Sequence, residues 1–186
     1  MSKVPVEITL EFTPNPNSLK YVLNRRLLLV GTENYTTIED AKDFSPLAYK
    51  LFLLEDVNGV MIGQTFITVT ISKDDNIREL NKSILSTIKE HLESGEIIYR
   101  PKPQDATQLE DSEISLKIRR IIDEEIRPAV AMDGGDITFE RYVDKVVYLN
   151  MVGACSGCPS SVVTRKMGIQ NRLQKEIPEI EDVVPI

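Results

Sequence analysis

The stretch VVYLNMVGACSGCPSSVVTRKMGIQ, residues 146–170, sets the architecture of the second half of the chain. Its first part, Val146 to Val152, is rich in β-branched and aromatic residues and predicts a strand. The pair Cys155-Ser156-Gly157-Cys158 follows directly. Pro159-Ser160-Ser161 then opens a helix, because serine caps helices and proline fits the first turn. The sequence therefore places both cysteines on a turn between a strand and a helix.

Two cysteines at this spacing are compatible with three kinds of site. A strand, a Cys-x-x-Cys pair and a helix in that order are typical of a thioredoxin-like dithiol. A structural zinc site needs four ligands, but the chain offers two cysteines and one distant histidine, His91. An iron–sulfur cluster is usually held by four cysteine thiolates, so this pair would supply half of the ligands. The spacing by itself leaves all three alternatives open.

Two features near the cysteines favour a cluster over a redox pair. Pro159 follows the second cysteine, as a proline does in bacterial ferredoxin-type cluster motifs. The chain has no tryptophan to shield a redox disulfide. If the centre is a four-cysteine cluster, the two missing sulfurs must come from another chain. A symmetric dimer would then carry the cluster on its two-fold axis.

The elements around this stretch predict a small α+β domain. Isoleucines recur at helical spacing from Ile114 to Ile126, and Pro128 is expected to end that helix. After a turn at Gly134-Gly135, a strand with Ile137, Phe139, Arg141 and Val143 on one face pairs with the strand 146–152. Residues 180–184 form a last strand.

The first half of the chain predicts a second small sheet with helices on one face. Alternation from Ile8 to Phe12 indicates a half-buried strand, and the prolines of residues 13–18 end it. Residues 31–45 are expected to be a polar loop. The other predicted elements are extended segments at 19–23 and 26–30, a short helix from Ser45-Pro46, a hairpin at 60–71 and a helix at 77–92.

These elements give an α+β protein of two small domains, each a small mixed or antiparallel sheet with helices packed on it. The predicted boundaries are residues 1–93 for the first domain, 94–112 for the linker and 113–186 for the second domain. The linker is assigned because this segment is interrupted by prolines, becomes acidic, and shows no useful apolar period.

The composition excludes several classes of function. A formal charge of −7 without a basic run argues against nucleic acid and against an anionic membrane surface as partners. No catalytic constellation and no phosphate loop is recognisable, so an enzyme is not expected. The N-terminal residues show neither a signal peptide nor an Arg-rich presequence, which predicts a cytoplasmic protein or a mature form whose presequence was removed.

Several stretches together resemble the NifU/Nfu family, and they cover almost the whole chain outside the linker. In the second half these are residues 132–136 (MDGGD), 153–161 (GACSGCPSS) and 168–171 (GIQN). In the first half they are residues 13–20 (TPNPNSLK), 45–48 (SPLA) and 63–69 (GQTFITV), which are similar to the Nfu N-terminal domain.

The resemblance implies a carrier or scaffold for a [4Fe–4S] cluster, with one cluster bridged between two chains. Cys155 and Cys158 match the ligand positions of the family. The implied partners are a second copy of the chain, upstream cluster assembly proteins, and apo-proteins such as lipoyl synthase or aconitase-type enzymes. The first domain is expected to recognise partners. The organisation is similar to the mitochondrial and alphaproteobacterial type, so the expected location is the bacterial cytoplasm, with the mitochondrial matrix as the alternative.

Three other features have simpler interpretations than a ligand site. Asp133 and Asp136 flank Gly134-Gly135 and are expected to cap and turn the chain. His91 is expected to be a solvated or helix-end histidine. Residues 13–18 are equally compatible with a structural turn and with a partner-binding loop.

Overall fold

A five-stranded antiparallel sheet in the order β1-β2-β5-β4-β3 organises the first half of the chain. The computed structural model describes residues 5–72, 77–102, 112–156 and 161–186, with only the backbone of residues 161–165. The chain divides into two compact units, residues 1–103 and 104–186. The strands of the first unit are β1 (Ile8–Phe12), β2 (Ser18–Leu23), β3 (Glu33–Tyr35), β4 (Val57–Ile62) and β5 (Phe66–Ile71).

Three helices pack on this sheet: α1 (Ile38–Phe44), α2 (Pro46–Phe52) and α3 (Ile77–Ser94). As predicted, Ser45 caps α2, and its Oγ accepts a hydrogen bond from the Ala48 N–H at 3.0 Å. Ile84 and Ile88 of α3 are fully buried against the sheet. Tyr21 of β2 donates a hydrogen bond to Asn81 of α3 at 2.9 Å.

Two predicted elements of the first unit are wrong. Residues 26–30 form no strand, and the chain turns at Gly31, whose φ is +68°. The predicted polar loop at 31–45 contains β3 and α1, which each bury a single side chain, Tyr35 and Ala41. Elements with so little apolar surface leave no periodic pattern in the sequence.

The chain beyond residue 93 also contacts the first unit. The Ile98 carbonyl accepts a hydrogen bond from Ser45 Oγ at 2.7 Å, and the Arg100 N–H donates to the Phe44 carbonyl at 2.6 Å. Lys102 pairs with Asp40 at 2.6 Å, and its ammonium lies 4.6 Å from the centre of the Tyr35 ring. Part of the predicted linker is therefore bound to the first unit, whereas the boundaries 1–93, 94–112 and 113–186 stay a prediction.

The second unit is a mixed three-stranded sheet in the order β6-β7-β8 with helices on it. β6 (Gly135–Val143) and β7 (Val146–Gly153) form an antiparallel hairpin. The helix α6 (Ser161–Glu176) then leads to β8 (Asp182–Pro185), which pairs in parallel with β7. The predicted start of this helix at Pro159 lies outside the described residues. Together the two units confirm the predicted α+β class with mixed and antiparallel sheets.

Pro128 does not end the first helical segment of the second unit, contrary to the prediction. The helix α4 (Glu113–Ile121) continues through a π-helical turn (Ile122–Ile126) into α5 (Arg127–Met132). Pro128 lies in the first turn of α5, where a missing N–H costs little. The wider π turn therefore lets the helix pass the proline.

A bulge also changes the predicted face of β6. Phe139 pairs with Leu149 and Arg141 pairs with Tyr148, so Glu140 is an extra residue on β6. Ile137 and Phe139 face the core as predicted, but Tyr142 then packs against it in place of Arg141 and Val143.

His91 lies in the last turn of α3, which agrees with the predicted helix-end position. Its side chain is buried, with 1% of its surface exposed, so the prediction of a solvated side chain is wrong. Its Nε2 lies 3.1 Å from the Ile97 carbonyl, and its Nδ1 lies 3.3 Å from Lys50 Nζ and 3.5 Å from Glu96. Burial, followed by the charge of Lys50, lowers the pKa of His91 below its ordinary value of 6.5. The fold therefore favours the neutral imidazole.

Among the described residues, no helix is long and apolar enough to cross a membrane.

We predict that His91 makes the first unit less stable in acid. The unfolded chain takes up a proton on His91 near pH 6.5, whereas the folded chain does so only at lower pH. The free energy of unfolding should therefore fall as the pH drops below about 6.5. Urea unfolding of the wild type and of His91→Gln at pH 8 and pH 5.5 measures this. The second unit is the same in both proteins, so the difference between them isolates His91. An equal loss of stability in the two proteins would contradict the prediction.

Candidate functional site

Cys155 lies in the loop that follows β7 and belongs to the hydrophobic core of the second unit. Only 1% of its surface is exposed. Cys158 lies outside the described residues, so its position relative to Cys155 stays a prediction. The backbone after β7 turns tightly, because the Cys155 N–H donates to the Val152 carbonyl at 3.3 Å and the Ser156 N–H donates to the Gly153 carbonyl at 3.1 Å. This turn holds Cys155 against the sheet.

The Asp133–Asp136 segment lies beside this cysteine loop, a proximity that the sequence does not reveal. The Ala154 N–H donates to the Gly134 carbonyl at 3.1 Å, and Gly135 pairs with Gly153 at the end of the β6–β7 hairpin. Gly134 has a φ of +78° and Gly153 a φ of +63°, which glycine adopts without steric cost. The chain therefore brings two separate glycine turns together at the cysteine.

Cys155 packs directly against the backbone of Gly135, which forms the wall behind its sulfur. A Cβ atom at residue 135 would overlap the Cys155 sulfur, and it would lie 3.0 Å from the Cys155 backbone nitrogen and 3.1 Å from its Cβ. The nitrogen and Cβ cannot move without moving the chain. Glycine at 135 is thus required by the close approach of the cysteine loop, and this contact involves the candidate sulfur ligand itself.

Asp136 does more than turn the chain as predicted, because its carboxylate accepts several hydrogen bonds. It is 2% exposed and accepts two hydrogen bonds from Arg127, at 2.8 Å from Nε and 2.7 Å from Nη2. Its Oδ1 also accepts the Ile137 N–H at 2.8 Å. Arg127 in turn donates from Nη1 to Asp123 at 3.0 Å. The hydrogen bonds that Arg127 donates to Asp136 are the main cause that raises the pKa of Arg127 above its ordinary value, so the guanidinium stays charged in this half-buried position.

Sequence reasoning did not identify Arg127 as part of the site. Its only local signal is the spacing of four residues from Asp123, which is an ordinary helix-surface pair. Its principal partner, Asp136, lies on the next strand, and only the tertiary structure brings the two side chains together. Asp133 does serve as predicted, since it is the C-terminal cap of α5.

The described residues contain no group of three or more His, Cys, Asp or Glu side chains placed to hold a metal ion. His91 and the candidate cysteines belong to different units. What the second unit presents is a sulfur donor on a loop between a strand and a helix. A cysteine sulfur is the ligand that iron–sulfur clusters and zinc both accept.

Comparisons with known proteins identify the family of the chain. Residues 8–95 match the family described as scaffold protein Nfu/NifU N terminal, and residues 118–184 match the NifU-like domain. The chain is 40% identical over 174 residues to the human NFU1 iron-sulfur cluster scaffold homolog, mitochondrial, which covers 92% of the chain and 68% of that relative. It is 39% identical over 174 residues to the protein of the same name from Drosophila persimilis, covering 92% of the chain and 62% of that relative.

A solved structure also matches part of the chain. The solution NMR structure of a NifU-like protein from Saccharomyces cerevisiae has a TM-score of 0.47 and 24% identity, and the match covers 53% of this chain and 88% of that one.

The two matched domains define a two-domain protein with an Nfu N-terminal domain followed by a NifU-like domain. The chain belongs to the NifU/Nfu family. Its relatives carry the name of scaffold proteins and not of enzymes, which agrees with the prediction from the sequence. They are also named as mitochondrial.

We predict that Gly135→Ala lowers the stability of the second unit by about 1 to 3 kcal/mol, because the added methyl group meets the backbone of Cys155. Gly168→Ala is the matched control, since a Cβ at residue 168 has nothing within 4 Å and lies inside α6. There, alanine should stabilise the helix by up to about 1 kcal/mol. Thermal unfolding of both variants tests this, and equal stabilities for the two would contradict the close contact at Gly135.

Proposed function

We propose that this protein is an iron–sulfur cluster scaffold and carrier that binds a [4Fe–4S] cluster between two chains and passes it to apo-proteins. Cys155 and Cys158 of each chain are its ligands. The observation that carries the proposal is the position of Cys155. It lies on a loop that packs against Gly135, in a domain of the NifU-like family. The human relative is named as an iron–sulfur cluster scaffold homolog, which supports the same kind of cargo.

The number of ligands requires a second chain. The protein has two cysteines, and a [4Fe–4S] cluster takes four thiolates. Two copies related by a two-fold axis supply two cysteines each, and the cluster lies on the axis. The stoichiometry is then one cluster per dimer.

Two features of the cysteine loop bear on its role as a ligand site. The Cys155 sulfur packs on the Gly135 backbone, which carries no side chain. Cys158 comes three residues before the first residue of α6, so the positive end of the helix dipole lies close in sequence to the ligand pair. Backbone contacts therefore hold the described part of the loop, residues 154–156, and the helix end that follows in sequence favours negative sulfur.

Sharing the cluster between chains also makes it transferable. Each chain supplies only half of the ligand set, so separation of the dimer leaves the cluster incompletely held and open to the thiolates of a recipient. A site of four cysteines within one chain would lack this route of release. The cluster is cargo here, and the protein's own residues bind it, orient it and give it up.

The proposed partners are a second copy of the chain, upstream assembly proteins and apo iron–sulfur proteins such as lipoyl synthase or aconitase-type enzymes. The first unit, with its own sheet and core, is proposed to recognise these partners. With a charge of −7, nucleic acid and anionic membranes are not proposed. The names of the relatives favour the mitochondrial matrix over the bacterial cytoplasm.

Membership of the NifU/Nfu family favours this function over the two alternatives that the spacing left open. A thioredoxin-like dithiol would turn over in a disulfide reduction assay. A zinc-bridged dimer would contain zinc and no acid-labile sulfide.

We predict that changing either Cys155 or Cys158 to alanine abolishes stable cluster binding. Both chains of the dimer carry the change, so each single substitution removes two of the four ligands. Iron and acid-labile sulfide per chain, measured on protein purified without air, report the loss. Ser156→Ala, between the two cysteines, is the control and should keep the cluster. Full occupancy in Cys158→Ala would rule out the bridged site.

We also predict that the cluster and the dimer stabilise each other, because ligands from both chains are needed and binding is linked to association. Native mass spectrometry under argon should show a dimer with one four-iron cluster, and removal of iron with a chelator should give monomers when the protein is dilute. A monomer that holds a complete four-iron cluster is the outcome that would overturn the proposal.

A further inference from the structure

The ion pair between Arg127 and Asp136 connects the first residue of α5 to the second residue of β6. The Asp136 side chain is almost completely buried, and its two oxygens accept the two donors of the guanidinium fork. Such bidentate pairs fix relative orientation as well as distance, because both hydrogen bonds must be made at once. Asp123, one helical turn before Arg127, holds the remaining arm of the guanidinium.

A short series of contacts leads from this pair to the candidate ligand. Asp136 follows Gly135 directly, and its Oδ1 also binds the N–H of Ile137, so the backbone on the C-terminal side of Gly135 is held by the same carboxylate. Gly135 pairs with Gly153 in the hairpin and supports the sulfur, nitrogen and Cβ of Cys155. A shift at Asp136 would therefore move the wall on which Cys155 rests.

We propose that Arg127 and Asp136 are positioning residues for the cluster: their buried ion pair holds Gly135 in place, and Gly135 sets the direction of the Cys155 thiolate. The inference rests on the proposed function, because it requires Cys155 to be a ligand. Neither side chain contacts the cluster in this scheme. They act through the backbone of β6.

The chemistry of the pair indicates which substitution tests it. Arg127→Lys keeps the positive charge beside Asp136 and so avoids a buried carboxylate without a partner. A lysine ammonium is a single point of contact, however, and cannot reproduce the planar fork. Arg127→Lys therefore removes the fixed orientation of residue 127 relative to Asp136, while it keeps most of the electrostatic attraction between the two side chains.

The second unit offers a matched control in the pair of Arg172 and Glu125. Arg172 also makes two hydrogen bonds to one carboxylate, both at 2.6 Å, and it connects α6 to the π-helical turn. This pair is more exposed and does not involve the residues next to Gly135. Arg172→Lys thus removes the same type of fork from the same unit without moving the wall behind Cys155.

The first measurement is the rate at which full-length holo-protein loses its cluster to an iron chelator under argon, followed by visible absorption. Outer-shell contacts of metal ligands are typically worth a factor of 10 or more in affinity, so Arg127→Lys is expected to lose the cluster about tenfold faster. Arg172→Lys should lose it at the wild-type rate. Thermal unfolding of each apo-protein is measured in parallel.

The second measurement needs no cluster. In the apo-protein with Cys158→Ser, Cys155 is the remaining cysteine, and its burial predicts slow alkylation by iodoacetamide. Adding Arg127→Lys should make alkylation several-fold faster, because the wall behind the sulfur loosens. Adding Arg172→Lys should leave the rate unchanged.

The results separate this inference from the function on which it rests. Faster cluster loss and faster alkylation in Arg127→Lys alone support the positioning role. Wild-type rates in Arg127→Lys, with the cluster still lost in Cys155→Ala, overturn the positioning role and leave the proposed function intact. Equal effects of Arg127→Lys and Arg172→Lys also overturn it, since the pair would then act only through general stability. Retention of the cluster in Cys155→Ala would instead refute the proposed function.

Discussion

The contact between the backbone of Gly135 and Cys155 is the constraint on which the second unit depends. It is possible only because residue 135 has no side chain, and it lets β6 and the loop after β7 approach more closely than any other residue would permit. The β6–β7 hairpin ends with Gly135 paired to Gly153, so the cysteine loop begins at the end of the hairpin. The buried Cys155 is thereby held by packed backbone.

The elements around this contact keep it in place from both sides. The π-helical turn shifts the helical register so that Arg127 opens α5 and faces the start of β6. On the other side, β8 completes the sheet in parallel with β7. Ile169 and Leu173 of α6 belong to the same core as Cys155. In the proposed function, packed backbone holds Cys155 in each chain, whereas the complete ligand set exists only in the dimer.

The first unit has a different character. Its antiparallel sheet and its helices enclose a core that contains no cysteine, and His91 is also buried in this unit. The contacts of Ile98, Arg100 and Lys102 extend this unit beyond residue 93. Lys102 contacts both the Asp40 carboxylate and the Tyr35 ring, so this residue binds the first unit through two specific interactions.

The sequence by itself determined the elements with strong periodicity and the candidate ligands. Local propensities, which depend on neighbours along the chain, predicted the strand Ile8–Phe12, the helix at 77–92, the Ser45-Pro46 cap and the hairpin that precedes Cys155. The sequence did not show α1, because this helix buries a single side chain and leaves no periodic pattern. It also did not show the passage of the helix through Pro128 or the bulge at Glu140, because tertiary packing outweighs the local signal there. Only the tertiary structure decided that Gly135 supports Cys155 and that Arg127 holds Asp136. Those contacts join residues whose separation in sequence carries no periodic pattern, and their energy comes from burial and geometry that exist only once β6, β7 and α5 are packed together.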